Sequence, residues 1–472
     1  MKNLIMKQLH FKNILFACGA TLLSLSFHSC NESIELGKVD NDLISQTGAT
    51  YLSLQNSLDA RPLRVINVYS NENGKAAIHI ELNKTSSEIL NMQIKPDASL
   101  VESYNQKNGT DFEMYPVENV TIENEGKLSI APGDQKSASL SIEFRAQGEA
   151  GKSYLFPVTI QKPSNDVKLR QESYIFVVTN KGNIPNTAKS SGIVTNFYLG
   201  LLRPNNPLNI GEWYLKKSKK PLVDIVCLFA ANINYDKPTG RVEVRMNEHL
   251  TPLLENRERY LKPLQDKGIK ITLSILGNWD AAGVANLSPE TAKDFAREVK
   301  AIVDAYQLDG VEFDDEYSEY GQATGIPGFV SPSAEAYARL CYEIKRIMPD
   351  KLCCVYHYGA VGFNFLVEGM KPGDFIDYTY EAFYGSLNSS IQDEYLGMSK
   401  RQVGPYSRNI GNGLNFNEQD MRRVHDEYGV NMCFDYNDAI RRSYIEDFNR
   451  MSEILYGEGA ECTTIVHGTT GL

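Results

Sequence analysis

Eight short apolar runs in the second half of the chain constrain its fold more than any other feature. Each has the length of a β-strand, and several of the segments between them are amphipathic helices in pattern. Strand, loop and helix repeated in about 280 residues predict a (β/α)8 barrel, a TIM barrel of the α/β class. An open doubly wound sheet is the alternative, but no glycine-rich phosphate loop follows the first run. The predicted strands are 192–198, 222–230, 269–276, 308–314, 352–358, 375–380, 401–406 and 430–434, with helices at 289–306, 332–347 and 439–456.

The preceding region has a different pattern. Ile78, Ile80 and Leu82 alternate with polar residues, and turn-rich pieces separate this run from similar ones. Short alternating strands at this spacing predict an all-β sandwich over residues 49–180. Residues 181–192 have the Gly, Pro, Asn and Ser content of a linker, so the barrel is expected at 193–472.

The first thirty residues have the composition of a secretory signal. Three lysines precede an apolar run that ends in small residues and Cys30, and this run is too short for a spanning helix. The end, SLSFHSC, resembles a bacterial lipoprotein signal, which implies removal of 1–29, a lipid on Cys30 and a polar tether at 30–48. The alternative is an ordinary signal cleaved nearby. The lipoprotein interpretation implies a chain anchored to the outer membrane, at the cell surface of a Gram-negative bacterium.

Charge and cysteine spacing exclude several function classes. The formal net charge of −11 argues against nucleic acid and against anionic lipid headgroups as partners. Cysteines have no C-x-x-C spacing, the seven histidines form no H-x-x-x-H pair, and no G-x-S-x-G elbow occurs. We therefore expect no metal site and no cofactor, with the membrane contacted only through the lipid. Oligomeric state is not predicted.

The predicted fourth barrel strand runs into the acidic stretch LDGVEFDDEYSEYG at 308–321. Alternation places Glu312, Asp314 and Glu316 on one face, toward the barrel interior, with Val311 and Phe313 on the other. Burying unpaired charge is costly, so stability does not favour this arrangement. Like charges and burial do raise a carboxyl pKa, which suits a general acid, and Glu316 lies nearest the mouth. A solvated acidic loop after a strand ending at Phe313 is the alternative.

The segment DGVEFDDE, 309–316, resembles the DGxDxDxE signature of glycoside hydrolase family 18, which contains chitinases and endo-β-N-acetylglucosaminidases. The longer stretch is similar to the F/H-type endo-β-N-acetylglucosaminidases, which cut within the chitobiose core of N-linked glycans. The resemblance covers about residues 192–472. Glu312 departs from the pattern, since the family usually has Asp at this position.

The resemblance implies a role for each acid. Glu316 would protonate the glycosidic oxygen, and Asp314 would orient the substrate's acetamido group, whose carbonyl oxygen attacks the anomeric carbon. Water activated by Glu316 would open the resulting oxazolinium intermediate with retention of configuration. Asp309 and Glu312 would hold the strand and tune Asp314.

The family also places a tyrosine hydroxyl after the sixth strand, to steady the acetamido carbonyl. In the run DYTYEAFYGS, Tyr384 followed by glycine is similar to that pattern and lies past the strand end. Tyr378 and Tyr380 are the alternatives, and all three tyrosines could instead be packing residues.

Further substrate contacts are expected where other strands end. Asn278 and Trp279 follow the third strand, and Trp279 is either a stacking platform for sugar or a core residue. His357 ends the fifth strand, where it either bonds substrate or is buried with its own partners. Possible contacts on the last two strands are Gln402, Tyr406, Asp435, Tyr436 and Asn437.

These features predict a tethered endo-β-N-acetylglucosaminidase acting on N-linked glycans or glycoproteins. One alternative is a glycan-binding protein on the same barrel without turnover, which retention of both Asp314 and Glu316 argues against. The other is a chitinase; a single aromatic residue near the mouth, rather than a row, favours discrete glycans. The sandwich resembles accessory domains of Bacteroides-type lipoproteins and acts as a spacer or a glycan-binding module.

Overall fold

The computed structural model describes residues 50–58, 61, 63–161, 167–203, 205–411 and 416–468. The predicted signal at 1–29, the lipidation site Cys30 and the tether at 30–48 lie outside the described residues. Within the described ranges, no helix combines the length and the apolar character that a membrane crossing requires.

Two sheets form the N-terminal sandwich, which accords with the predicted all-β region. One has the strand order β10-β1-β3-β8-β6 and the other β2-β11-β9-β4-β7, with β5 paired to β9. Alternate residues of β3 and β8 are buried between the sheets, as the alternating sequence requires. An α-helix, α1 (Ser99–Asn108), follows β4. The strands are β1 Thr50–Asn56, β2 Leu63–Tyr69, β3 Gly74–Leu82, β4 Leu90–Pro96, β5 Glu113–Met114, β6 Val120–Ile122, β7 Lys127–Ile130, β8 Leu140–Phe144, β9 Ser153–Gln161, β10 Val167–Gln171 and β11 Ser173–Gly182.

The third sheet is the predicted barrel. Its order is β20-β19-β18-β17-β16-β14-β12-β22-β21, and every pair along it is parallel. The hairpin strand β15 extends β14 beyond the barrel, and β13 pairs separately with β23. The strands are β12 Val194–Gly200, β13 Trp213–Leu215, β14 Ile225–Asp236, β15 Arg241–Arg245, β16 Lys270–Leu276, β17 Gly310–Phe313, β18 Leu352–His357, β19 Tyr378–Glu381, β20 Val403–Gly404, β21 Ser407–Asn409, β22 Val430–Phe434 and β23 Ala460–Cys462.

The predicted seventh barrel strand, 401–406, is divided into two pieces. The first, β20, pairs with β19, and the second, β21, pairs with β22 on the other side. Pro405 lies between them and has no N–H to donate to a ladder. The two pieces together nearly close the barrel, so the predicted fold class is confirmed.

The helices between the barrel strands are less regular than in a barrel of eight equal βα units. The connections after β12 and after β19 carry only 3-10 helices, Pro207–Glu212 in the first and Ile391–Glu394 and Lys400–Gln402 in the second. The last helix begins at Tyr444 rather than 439, because a 3-10 turn with a kink at Ile440 precedes it. The α-helices are α2 Leu250–Glu255, α3 Arg257–Tyr260, α4 Lys262–Asp266, α5 Pro289–Ala305, α6 Ala334–Ile347, α7 Pro372–Phe375, α8 Glu418–Glu427 and α9 Tyr444–Tyr456.

The predicted linker is packed against the barrel. β11 continues to Gly182, and Lys189 further on is buried. The Lys189 ammonium donates to the Asp224 carboxylate and, at 3.3 Å, to the Leu222 carbonyl. This buried ion pair holds the connection to the N-terminal end of the barrel.

Apolar residues pack against both faces of the barrel wall. The outer layer, between strands and helices, contains Val311 and Phe313 of β17. The inner cluster fills the barrel and includes Tyr198, Cys354 and Tyr380. The outward position of Val311 and Phe313 leaves the alternate residues of β17 to face this interior. The six described cysteines are free thiols.

Candidate active site

The acidic strand β17 leads from the barrel interior to its C-terminal mouth. Glu312 is fully buried, Asp314 is 2% exposed and Glu316 is half-buried. Asp315 is buried as well, so the segment is not a solvated acidic loop. The predicted placement of the carboxylates, one above another toward the mouth, agrees with this geometry.

Glu312 spans the interior of the barrel. Both of its carboxylate oxygens accept from the Asn196 side-chain amide on β12, each at 3.0 Å, and Thr272 on β16 donates a further hydrogen bond. Burial raises the pKa of Glu312, and the bonds from Thr272 and Asn196 oppose that rise. The added methylene relative to Asp gives the side chain the reach to tie three strands together.

Asp314 and Glu316 are an interacting carboxyl pair. Burial raises the pKa of Asp314 well above its usual range, and the charges of Glu316 and Asp315 add to the rise. Burial and then the Asp315 charge raise the pKa of Glu316. Asp314 Oδ1 is buried without a hydrogen-bond partner in the part of the chain that the structure describes. A buried polar atom of this kind is costly, and a bound group can satisfy it.

Two backbone hydrogen bonds hold the loop that carries Glu316. The Gly277 N–H donates to the Glu316 carbonyl at 2.9 Å, and the Trp279 N–H donates to the Tyr317 carbonyl at 2.6 Å. A side chain at Gly277 would place its Cβ 2.6 Å from the Glu316 carbonyl oxygen, so only glycine allows this approach. Trp279 and Tyr317 both have positive φ, a strained conformation typical of functional turns.

Asp315 was not among the residues singled out from the sequence. Its carboxylate accepts from the Tyr320 hydroxyl and, at 2.7 Å, from the Ala360 backbone N–H after β18. Gly359, with φ of 73°, leaves room for that carboxylate. Asp315 therefore joins the loops after β17 and β18 and positions the segment around Glu316. The position of Asp315 between Asp314 and Glu316 is the feature of the sequence that could have marked it as a site residue.

Tyr384 lies beside the two acids. Its ring stacks on Phe434 at 5.6 Å, and its hydroxyl lies 3.0 Å from the Tyr356 hydroxyl. Burial raises its pKa, and the charges of Asp314 and Glu316 raise it further, so the hydroxyl keeps its proton. Tyr380 is instead fully buried, accepting at 2.9 Å from Asn196 below the site.

Exposed aromatic rings border the mouth. Trp279 and Tyr317 pack with ring centroids 5.2 Å apart, and Tyr358 and Phe383 with centroids 6.3 Å apart. The Glu316 charge is the first cause of the raised pKa of Tyr317, followed by burial, the Asp314 charge and Tyr358. We call these four residues the aromatic rim. Trp279 is 65% exposed, so it is not a core residue, and the expectation of a single aromatic at the mouth was wrong.

Asn278 and His357 lie at the predicted end of the barrel and already have protein partners. The Asn278 amide donates to Asn234 at 3.1 Å. Nδ1 of His357 lies 2.9 Å from the Tyr395 hydroxyl, and burial lowers the pKa of His357. The buried, satisfied alternative for His357 agrees with these contacts. Its strand neighbour Glu381 is also buried and was missed by the sequence.

Two predicted site residues lie at the other end of the barrel. The Gln402 amide donates to the Gly373 and Ile376 carbonyls at 3.0 and 2.8 Å, at the start of the seventh strand. Asp309 precedes β17 and accepts from the Ile271 N–H at 2.9 Å. Asp309 thus holds two strands together but does not reach Asp314. Gln402 fastens a loop and is not positioned for sugar.

Tyr406 and Tyr436 point away from the barrel interior. Both are fully buried in the outer apolar layer. The Tyr406 hydroxyl accepts from the Asn417 N–H at 3.0 Å, and the Tyr436 hydroxyl accepts from the Trp213 indole at 3.1 Å. Strand alternation turned these rings toward the helices, so neither is a sugar contact. Asp435, beside Tyr436, pairs with Arg203 at 2.7 Å.

No group of three His, Cys, Asp or Glu side chains among the described residues is arranged to hold a metal ion. The site combines two neighbouring acidic side chains, a neutral tyrosine hydroxyl and a rim of aromatic rings at the C-terminal end of a barrel. These features define the class of protein: a glycoside hydrolase built on a (β/α)8 barrel.

Comparison with known proteins agrees with this class. A family model described as a "-like, N-terminal domain" matches residues 45–167. The chain is 47% identical over 231 residues to endo-β-N-acetylglucosaminidase F1 of Elizabethkingia meningoseptica, covering 48% of this chain and 67% of that protein. It is 31% identical over 255 residues to an endo-β-N-acetylglucosaminidase of Flavobacterium sp. (strain SK1022), covering 53% and 77%.

The structural comparison extends over the sandwich as well. A crystal structure of EndoBT-3987 of Bacteroides thetaiotamicron with Man5GlcNAc product has a TM-score of 0.81 and 33% identity, covering 88% of this chain and 97% of that one. Another, in complex with Man9GlcNAc2Asn substrate, has a TM-score of 0.74 and 31% identity over the same coverage. The chain belongs to the endo-β-N-acetylglucosaminidase family.

Proposed function

We propose that this protein hydrolyses the GlcNAc-β-1,4-GlcNAc bond in the core of N-linked glycans. The observation that carries the proposal is the pair formed by Asp314, buried with an unsatisfied oxygen, and Glu316, half-buried at the mouth. The relatives bear the name endo-β-N-acetylglucosaminidase, and the related crystal structures hold Man5GlcNAc and Man9GlcNAc2Asn.

In the first step, Glu316 donates its proton to the glycosidic oxygen as the bond to the anomeric carbon breaks. Burial and the Asp315 charge raise the pKa of Glu316, which favours the protonated form that a general acid needs. The acetamido carbonyl oxygen attacks the anomeric carbon, and an oxazolinium ion forms. Asp314 Oδ1 accepts a hydrogen bond from the acetamido N–H, which favours the charged form of Asp314.

In the second step, the Glu316 carboxylate removes a proton from water as the water oxygen attacks the anomeric carbon. The bond from that carbon to the acetamido oxygen breaks, and the acetamide is restored. Two inversions give net retention. The Tyr384 hydroxyl donates a hydrogen bond to the acetamido oxygen, and this neutral donor stabilises the charge without adding its own.

The aromatic rim supplies apolar faces on which sugar rings can stack. Its four rings follow the ends of β16, β17, β18 and β19, next to Glu316. Burial of a sugar C–H face on an aromatic ring is favourable, so the rim is the expected contact for sugars on either side of the scissile bond.

The proposal is tested by mass spectrometry of a high-mannose glycoprotein incubated with the chain starting at Asn31. Wild type should remove the glycan and leave one N-acetylglucosamine on asparagine. Glu316→Gln should lower turnover by ~10²–10⁴-fold, because it cannot supply the proton. Glu319→Gln is the matched control, since Glu319 is an exposed acid in the same loop.

Wild-type turnover in Glu316→Gln would overturn the assignment of the acid. Release of sugar from chitin oligomers but from no glycoprotein would replace the proposal with a chitinase. Binding of glycan by wild type with no turnover on high-mannose or complex glycans would replace it with a binding protein.

We also propose that the mature chain is lipid-anchored through Cys30 in the outer membrane, at the cell surface. Support comes from the N-terminal sequence alone, with its lysines, apolar run and cysteine. Labelling cells with a radioactive fatty acid should mark wild type but not Cys30→Ala, and only wild type should sediment with membranes. Equal labelling of both would contradict this proposal.

A further inference from the structure

A large cavity lies at the N-terminal end of the barrel, where the sandwich meets it. Its volume is about 1660 Å³, and eleven basic and seven acidic side chains line it. This excess of positive charge occurs in a chain whose net charge is −11. The cavity is separate from the active site, because the strands that carry the acids begin here and end there.

Three lysines from different elements line this cavity. Lys181 is the penultimate residue of the last sandwich strand β11, Lys270 begins β16, and Lys351 immediately precedes β18. The strands β16 and β18 flank β17, so Lys270 and Lys351 lie on either side of its N-terminal end. Burial lowers the pKa of Lys181, and the charges of Lys270 and Lys351 lower it further, while the charges of Asp309 and Asp350 oppose this.

Carboxylates near these lysines are engaged elsewhere. Asp309 accepts from the Ile271 N–H and from the Gln265 amide, at 2.9 and 2.8 Å, and Asp350 accepts from the Ser153 hydroxyl at 2.9 Å. Across the described ranges, no residue forms a hydrogen bond or ion pair with the side-chain ammonium of Lys181, Lys270 or Lys351. The three lysines are half-buried, and an anion in the cavity would pair with ammonium groups that have no protein partner.

We propose that these three lysines bind a tetrahedral dianion, a phosphate or sulfate group, between the sandwich and the barrel. Three donors from three elements suit the several oxygens of such a group, and lysine is a usual phosphate binder. The cavity has room for an ester of a sugar as well as for the free ion. Bound there, the anion joins the sandwich to the barrel. This inference does not depend on the proposed glycosidase activity.

The test measures the melting temperature of the mature chain with sodium phosphate, mannose 6-phosphate or mannose, with sodium chloride holding ionic strength constant. A dianion that binds only the folded state should raise the melting temperature by ~2 °C or more at saturation. Mannose alone should give no rise. A rise with both sodium phosphate and mannose 6-phosphate identifies a site for the phosphate group itself. A rise with mannose 6-phosphate alone identifies a site for a phosphorylated sugar.

Lys270→Gln and Lys351→Gln should abolish the rise while keeping the melting temperature without anion at or above that of wild type, because each removes repulsion. Lys237→Gln, at an exposed lysine outside the cavity, should respond as wild type does. No rise in wild type, or the same rise in the Lys270 and Lys351 variants, would overturn the proposal. Glycan release should be unchanged in every variant, because the cavity lies at the opposite end of the barrel from Glu316.

Discussion

At the scale of single residues, the site retains an arrangement that is unfavourable for folding. Asp314 is buried beside Glu316, and one of its oxygens is unsatisfied within the described structure. Glu312, one layer below, is equally buried but accepts three hydrogen bonds. Asp314 and Glu312 are therefore similarly buried but differ in their hydrogen bonding. Glu312 stabilises the barrel, and Asp314 is held ready for a ligand.

Asp314→Asn should stabilise the free protein while lowering turnover by ~10²-fold or more. Because burial raises the pKa of Asp314 above its unfolded value, the carboxyl costs stability as pH rises from the unfolded pKa toward the folded one. Asparagine has no such cost, so the gain in unfolding free energy should grow by ~1.4 kcal/mol per pH unit in that range. Urea unfolding at pH 5 and pH 8 measures it, with Glu319→Gln as control. A variant less stable than wild type at pH 8 would contradict the burial argument.

At the scale of elements, the strand ends and their loops decide where chemistry occurs. The loops after β16, β17 and β18 are joined by backbone bonds to Glu316 and Tyr317 and by the Asp315 carboxylate. Below them, Glu312 ties β17 to β12 and β16. The acids are thus held from above by loops and from below by a hydrogen bond across the barrel, which suits a site that must be rigid.

Glu312→Asp tests the hydrogen bond across the barrel. Aspartate is one methylene shorter, so the bonds from Asn196 should be lost and the unfolding free energy should fall by ~1–3 kcal/mol. Asn196→Ala in the wild-type background should cost a similar amount, but clearly less in the Glu312→Asp background. A double-mutant cycle from urea unfolding measures this difference. If the losses of unfolding free energy in the two single variants add up to the loss in the double variant within ~0.5 kcal/mol, Glu312 does not act through Asn196.

At the scale of the whole molecule, the sandwich is attached to the N-terminal end of the barrel and the active site opens at the other. The Ser153 hydroxyl donates to Asp350 at 2.9 Å, and Arg61 pairs with Asp377 at 3.6 Å. Arg61, Asp350 and Asp377 also line the large cavity. This attachment lies at the opposite end of the barrel from the mouth.

The double variant Arg61→Gln and Ser153→Ala should loosen this attachment. Calorimetry should show the single unfolding transition broaden or divide into two, while glycan release at 25 °C changes by less than ~2-fold, since neither residue is near the acids. Lys127→Ala, in an exposed ion pair of the sandwich, is the control and should leave the transition unchanged. A sharp single transition in the double variant would mean that other contacts join the two parts.

Local pattern in the sequence was enough to predict the sandwich, the barrel, the buried acidic strand and the position of Trp279 beyond a strand end, because alternation is visible in adjacent residues. Tyr384 was singled out by the resemblance to the family. Tertiary structure alone decided which face and which end of the barrel each other candidate occupies. Gln402 and Asp309 lie at the N-terminal end, and Tyr406 and Tyr436 turn outward. The aromatic rim, the division of the seventh strand and the bond from Glu312 to Asn196 join residues far apart in the chain. Such contacts depend on how strands close into a barrel, which no short segment specifies.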